Sequence, residues 1–251
     1  MRSTKILVLI LCLLALAPCG SSTGGTETGN TQPVSLRPIG YQSSRFLQSA
    51  GMMGLVVGNL ALTQAQMVLD QVTFRPASFC NTSGENNGAS EASFAGPFVL
   101  DLLDPQIIPG LENLPIAPGQ YCQLGLTFKE LQFSVFLTGA RADGTPFQMT
   151  AILNDTFDVN TPDGFSIEPS PTTLILFIAF DLDDWFQGVD LSDPSIEVST
   201  GPDGNPIIYL SETQNPSAQG KIVENIQDSP DLFGDRNGNN NLDQDEQDNP
   251  L

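Results

Sequence analysis

A period of two in hydrophobicity runs through the middle of the chain and confines it to extended structure. Cys122, Leu124, Leu126 and Phe128 alternate with Gln123, Gly125 and Thr127, and Leu131, Phe133, Val135 and Leu137 alternate with Gln132, Ser134 and Phe136. Successive side chains of a strand leave on opposite faces, so each run turns its more apolar face to a core. Residues 55–62, 67–74, 98–103 and 147–153 read in the same way. Residues 174–180, Leu-Ile-Leu-Phe-Ile-Ala-Phe, are apolar without interruption, which suits a central strand. No long helical period competes with these runs.

The connections carry matching turn chemistry. Ala142-Asp143-Gly144-Thr145 lies between two strand patterns, and Gly201-Pro202-Asp203-Gly204 separates residues 196–200 from 207–210. Asp-Gly supplies the positive φ that tight hairpins require. Sheets with one apolar face must bury it against another layer. About eight or nine short strands with such turns therefore predict a mostly β fold, an antiparallel two-sheet sandwich of immunoglobulin-like or transthyretin-like kind over residues 45–212. Residues 215–225 read as a short helix with Ile222, Val223 and Ile226 on its apolar face, opening a polar terminal segment, 213–251.

At the other end, Arg2 and Lys5 precede an apolar run of about 12 residues, 6–17, too short for the roughly 20 that cross a bilayer as a helix. Residues 1–18 read as a removable signal peptide. The sequence that closes it, Leu16-Ala17-Pro18-Cys19, resembles the lipobox of bacterial lipoproteins, which implies an acylated Cys19 as the first mature residue. An ordinary secretory peptide cut nearby is the other reading. Gly20 in place of Asp after that cysteine implies, by the same resemblance, the outer membrane as destination. Residues 19–44 open with Gly, Ser and Thr, the composition of a flexible tether.

Removal of residues 1–18, which hold two basic residues and no acid, leaves seven basic and 29 acidic residues and a net charge of −22. Such a charge repels nucleic acid and favours cation binding. Cys80 and Cys122 remain for the folded region, and an exported protein meets an oxidising compartment, so a disulfide is expected between them. A loop of 42 residues closed in this way restrains the unfolded chain by roughly 4 kcal/mol. The chain has no His, which removes His-dependent triads and His-containing zinc sites from consideration.

One motif carries specific chemistry. Residues 235–246, Asp-Arg-Asn-Gly-Asn-Asn-Asn-Leu-Asp-Gln-Asp-Glu, match the twelve-residue EF-hand calcium loop. Calcium takes six to eight hard oxygens, and alternate residues at loop positions 1, 3 and 5 can turn theirs inward. Asp235, Asn237 and Asn239 fill those places, Asn241 offers its carbonyl, Asp243 follows at position 9, and Glu246 is the carboxylate at position 12. Leu242 is the apolar residue expected at position 8. Asn240 stands where the turn favours Gly, and Asn is the next most tolerant residue of left-handed backbone. The loop resembles the single calcium loops of dockerin modules and bacterial surface proteins, which implies calcium as cofactor.

Asp181, Asp183 and Asp184 precede Trp185-Phe186, and with Glu168 they offer acid and base for a glycan-acting enzyme. An Asp after a strand more often caps a short helix, which would leave Trp185 and Phe186 to pack on the sheet. The sequons at Asn81 and Asn154 are short enough to recur by chance. Tyr41, Tyr121, Tyr209 and Trp185 are too scattered for a sugar platform. Phe98-Val99-Leu100-Asp101-Leu102-Leu103, with Leu114-Pro115 and then Pro118-Gly119-Gln120-Tyr121-Cys122, resembles a domain of unknown function common in bacterial surface lipoproteins. The likeness spans about residues 52–182 and implies a β-sandwich with no catalytic set. The expectation is a non-enzymatic envelope lipoprotein with a structural, adhesive or ligand-binding role. Its partners would be the membrane through Cys19 and an envelope protein or glycan. A calcium-stabilised glycan-acting enzyme and a calcium-dependent assembly module are the rivals.

Overall fold

The computed structural model describes residues 31–41, 55–80, 88–104, 106–128 and 133–251. In chain order the first strands are β1 (Gln32–Tyr41), β2 (Leu55–Val57), β3 (Leu60–Pro76), β4 (Ala92–Asp101), β5 (Gln106–Ile108) and β6 (Leu114–Ile116). The next are β7 (Gly119–Phe128), β8 (Val135–Arg141), β9 (Pro146–Ala151), β10 (Thr156–Ile167) and β11 (Leu174–Asp181). Then come the one-turn helix α1 (Leu182–Trp185), β12 (Ser199–Thr200), β13 (Pro206–Leu210), α2 (Pro216–Asp228), β14 (Pro230–Gly234) and α3 (Gln244–Gln247).

The strands form two sheets. A four-stranded sheet runs β14-β11-β1-β6, and a ten-stranded sheet runs β10-β7-β3-β8-β9-β13-β12, with β2 and β4 joined to β3 and β5 to β4. The long β3 is the spine of the larger sheet: its first half pairs with β8 and its second with β7, the change falling at an irregularity between Leu69 and Gln71. The expected Asp-Gly turns form where the alternation placed them. Arg141 N–H donates to the Thr145 carbonyl at 2.9 Å across the β8–β9 turn, and Gly144 and Gly204 take φ of +84° and +82°.

Both sheets are mixed rather than purely antiparallel. β1 runs parallel to β11, and β9 parallel to β13. Neither pair is joined by a hairpin; each is closed by a long excursion through other elements, and only a hairpin forces neighbours to be antiparallel. The other departure is at the start of the chain. Residues 32–41, expected as the end of the tether, form β1 inside the smaller sheet. The expected signal peptide, Cys19 and the tether up to residue 30 lie outside the described residues.

One contiguous core joins the inner faces of the two sheets, with Leu36, Leu176, Ile178 and Leu232 from the smaller meeting core side chains such as Met67, Leu124 and Met149 of the larger. The unbroken apolar run of β11 has a second consequence. Alternate residues point to the outer face, so Phe177 and Ala179 form a separate apolar cluster there with Phe233 of β14 and Leu242. That outer cluster is where the terminal segment folds back.

Candidate functional site

The candidate calcium loop grows out of β14. Asp235 N–H donates to the Ile175 carbonyl at 3.0 Å, which fixes the loop entry against the start of β11. From there the short polar side chains fold the backbone by bonding amides two to five residues ahead, the habit that suits Asn and Asp to turns. Asp235 accepts from Gly238 N–H at 2.7 Å on Oδ1 and from Asn240 N–H at 2.9 Å on Oδ2. The Asn237 Oδ1 accepts from Asn239 N–H at 2.9 Å, and the Asn239 Oδ1 from Asn241 N–H at 2.7 Å. Asn240 has φ +64°, the left-handed conformation that the sixth loop position demands.

The exit is closed by a helix cap. Asp243 and Glu246 form a capping box at the start of α3, with Asp243 N–H donating to Glu246 Oε2 at 3.3 Å. Glu246 is only 2 % exposed, and its Oε1 also accepts from Arg236 N–H at 2.7 Å. Backbone donors on both sides thus hold the last candidate ligand at the first turn of the loop. The two amides converge on the same point: Asn237 Nδ2 and Asn239 Nδ2 donate to Asp243 Oδ2 at 2.6 and 3.0 Å. The structure therefore brings Asp235, Asn237, Asn239, Asp243 and Glu246 into one loop closed on itself.

This donor set fits calcium. Three carboxylates, two side-chain amides and the Asn241 carbonyl offer only hard oxygens, in the number that ion takes. Among the described residues no three His, Cys, Asp or Glu side chains converge as a metal cluster. Asp235, Asp243 and Glu246 belong to that residue set and do not meet as such a cluster, while Asn237, Asn239 and Asn241 would add amide and carbonyl oxygens from outside it. An open groove of about 720 Å³ runs beside the loop between Asp235, Arg236 and Asn237 on one wall and Glu168, Ser170 and Thr172 on the other. Gln32 sets the second wall, accepting from Ser170 N–H at 2.6 Å and donating to the Thr172 carbonyl.

The remaining sequence candidates fall elsewhere. Cys80 and Cys122 are bonded to each other, with Cα atoms 6.3 Å apart. Asp181 Oδ1 accepts from Asp183 N–H at 3.0 Å and so caps α1, while Trp185 and Phe186 are buried. Glu168, just past β10, lines the groove with Leu174 and Ile175 of the start of β11, and Asp181 stands at the other end of that strand, roughly 23 Å along it at 3.3 Å per residue. Two carboxyls that share one glycosidic bond stand about 5 to 10 Å apart. The structure does not bring these two together. Asn154 is exposed, and Asn81 lies outside the described residues.

Sequence reasoning missed one arrangement. Tyr41 at the end of β1 donates its hydroxyl to Asp231 Oδ2 at 3.0 Å, beside the capping Asp181. Burial, then the neighbouring Asp231 charge, pushes the Tyr41 hydroxyl above its ordinary range. Burial likewise raises the Asp231 and Asp184 carboxyls, with the charge of Asp181 adding to both. The signal was out of reach locally, since Tyr41 and Asp231 are 190 residues apart.

Among the described residues no helix is long and apolar enough to cross a membrane. No protein-family model, curated protein or solved structure matches the chain.

Proposed function

We propose that this protein is an exported lipoprotein of the bacterial cell envelope, anchored through an acylated Cys19 and bound to calcium at its terminal loop. Its non-catalytic β domain serves a structural, adhesive or ligand-binding role toward an envelope protein or glycan. We read the two mixed sheets as a sandwich of the immunoglobulin-like or transthyretin-like kind. The support for that layering is the single core shared by side chains from both sheets. The leader and lipobox at residues 1–19 support export, and the Cys80–Cys122 bond suits an oxidising compartment.

The observation that carries the calcium reading is the loop's own geometry: the side-chain oxygens of Asp235, Asn237 and Asn239 are held within the loop by successive loop amides, the Asn237 and Asn239 side-chain amides meet Asp243, and Glu246 is held buried beside them. Asp235, Asn237, Asn239, Asp243 and Glu246 would hold the ion by side-chain oxygens and Asn241 by its carbonyl. The ion would supply a structural cross-link between the two ends of the loop and no reaction chemistry. Arg37 Nη1 donates to the Asn240 carbonyl at 3.2 Å, so the loop is docked on β1 as well as closed on itself.

Calorimetric titration of the protein with calcium tests the reading, with an Asp235→Ala/Glu246→Ala double variant alongside. Saturable binding at about 0.1 to 1 mM, lost in the variant, is the expected outcome. No binding to the wild type would return the segment to a solvated acidic extension. Intact-mass analysis of protein from membranes tests the anchor: a diacylglyceryl or triacyl mass on Cys19 is expected, and an unmodified mature N-terminus would refute it.

A further inference from the structure

The smaller sheet is apolar on both faces, and only its inner face meets the larger sheet. Phe177, Ala179 and Phe233 are buried on the outer face, and Leu242 packs on them. Tyr41 adds an edge-on ring contact to Phe233, with centroids 6.1 Å apart. Leu242 stands between Asn241 and Asp243, two of the loop's candidate ligands. The residue that closes the apolar face is therefore part of the backbone that would wrap the ion.

The other attachments of the loop reach the same sheet. Asp235 N–H bonds the Ile175 carbonyl on β11, Arg37 on β1 bonds the Asn240 carbonyl, and Leu251 N–H bonds the Leu232 carbonyl on β14 at 2.9 Å. Within the segment, Arg236 Nη2 bonds the Asn249 carbonyl at 3.0 Å, which ties the start of the loop to the stretch after α3. Residues 235–251 are thus tied to that sheet at Asp235, Asn240, Leu242 and Leu251.

We infer that the loop is a cover set by calcium. Rising calcium favours the form with Leu242 down over the Phe177–Phe233 face, and its withdrawal lets the segment lift more often and expose that face. The inference rests on the calcium reading above and goes beyond it by coupling the ion to the exposure of a distinct surface. A ligand that binds only the closed form favours it by the factor 1 + [L]/Kd, roughly 2- to 11-fold at about 1 mM calcium for sites of about 0.1 to 1 mM affinity. Linkage is reciprocal, so the contact of Leu242 with the sheet must in turn favour calcium. The sense is opposite to that of sensor EF-hands, in which calcium opens a groove.

Hydrogen exchange of the Asp235 and Leu251 amides in the full-length protein reads the cover directly, with β7 amides as internal reference and calorimetry run in parallel. Calcium at about 1 mM should slow exchange at those two amides by roughly 2- to 11-fold, while β7 amides, which open only with the whole fold, stay slower than both throughout. Leu242→Ala should speed it by roughly thirtyfold, the factor that corresponds to losing about 2 kcal/mol of packing, and should weaken calcium binding. Leu242→Met, which keeps the volume, should restore both and shows that the Ala variant did not simply misfold. Calcium binding to the wild type with no change in the protection of Asp235 and Leu251 would overturn the coupling. So would a Leu242→Ala protein with wild-type protection and affinity. A flat titration of the wild type would overturn the calcium reading itself, and is told apart from the first two because no heat of binding is seen at all.

Discussion

Asp231 sits half-buried on β14 with the Tyr41 hydroxyl as its donor and the negative charges of Asp181 and Asp184 nearby. Burial outweighs the help of the Tyr41 hydrogen bond and, with the Asp181 charge, lifts the Asp231 carboxyl above its usual 3.8. A carboxyl raised in the folded state holds its proton more tightly there than in the unfolded chain. Its contribution to stability is then fully present below about pH 3.8 and is lost as pH rises through the higher folded value. Asp184 is shifted the same way, by burial first and then by the charges of Asp181, Asp183 and Asp231. Asp231→Asn keeps an acceptor for Tyr41 and removes the charge. Urea midpoints should therefore show this variant more stable than wild type at pH 7, with the gap closing as pH falls toward 4. A gap that is constant with pH would show that the Asp231 charge is not what strains this corner. Trp185 makes a second residue-scale case. Its buried indole N–H donates to Ser229 Oγ at 2.7 Å, and Ser229→Ala would orphan it. A loss of about 1 to 3 kcal/mol in the same assay is expected. The capping role of Asp181 was legible in the sequence because capping is a local rule, whereas its neighbours Tyr41 and Asp231 arrive from remote strands.

At the scale of elements, β1 shows why part of the fold escaped the sequence. It contains Pro33 and Pro38, and proline lacks the N–H that a central strand uses on both edges. Leu36 N–H and Gly40 N–H both point away from β11, to the carbonyls of Leu111 and Leu102 at 2.9 and 3.0 Å. Backbone direction alternates along a strand, so the Pro38 nitrogen faces that same side, between the two bonds, and the parallel ladder with β11 is spared. The Gly, Ser and Thr that open residues 19–44 carry the tether reading on into 32–41, until a partner 140 residues away supplies the ladder. By contrast β7, β9 and β11 were legible, because alternation or an unbroken apolar run is contained in each strand. The closeness of β1 to its neighbours also yields a prediction. A Cβ on Gly40 would lie 2.9 Å from the Leu102 carbonyl oxygen and 2.6 Å from Leu182 Cδ1. Leu182 can yield only into a packed core, and the carbonyl belongs to the bond that holds β1 in place. Gly40→Ala should cost about 1 to 3 kcal/mol by urea denaturation. A neutral result would mean that the β1 edge is looser than its hydrogen bonds imply.

The whole molecule carries 29 acidic against nine basic residues, and its charge bears on every experiment with calcium. Self-repulsion at net −20 opposes compaction, so any added salt should stabilise the fold by screening. The Debye length falls from about 30 Å at 0.01 M to about 10 Å at 0.1 M ionic strength, which brings it below the span of the sheets. A rise in stability with calcium is therefore not by itself a sign of a site. The loop makes the stronger demand. About 5 mM calcium chloride contributes the ionic strength of only about 15 mM sodium chloride, so at a background of about 0.15 M its screening effect is negligible. A site of about 0.1 to 1 mM affinity would nevertheless add about 1 to 2 kcal/mol at that concentration. Thermal or urea denaturation at constant ionic strength should show that increment with calcium and much less with magnesium, whose strict octahedral preference and reluctance to shed water suit a twelve-residue amide-rich loop poorly. The Asp235→Ala/Glu246→Ala protein should keep the general response to sodium chloride and lose the calcium increment. Equal increments from calcium, magnesium and ionic-strength-matched sodium would assign the whole effect to the acidic surface, and the amide-bonded oxygens of residues 235–246 would then be turn chemistry alone.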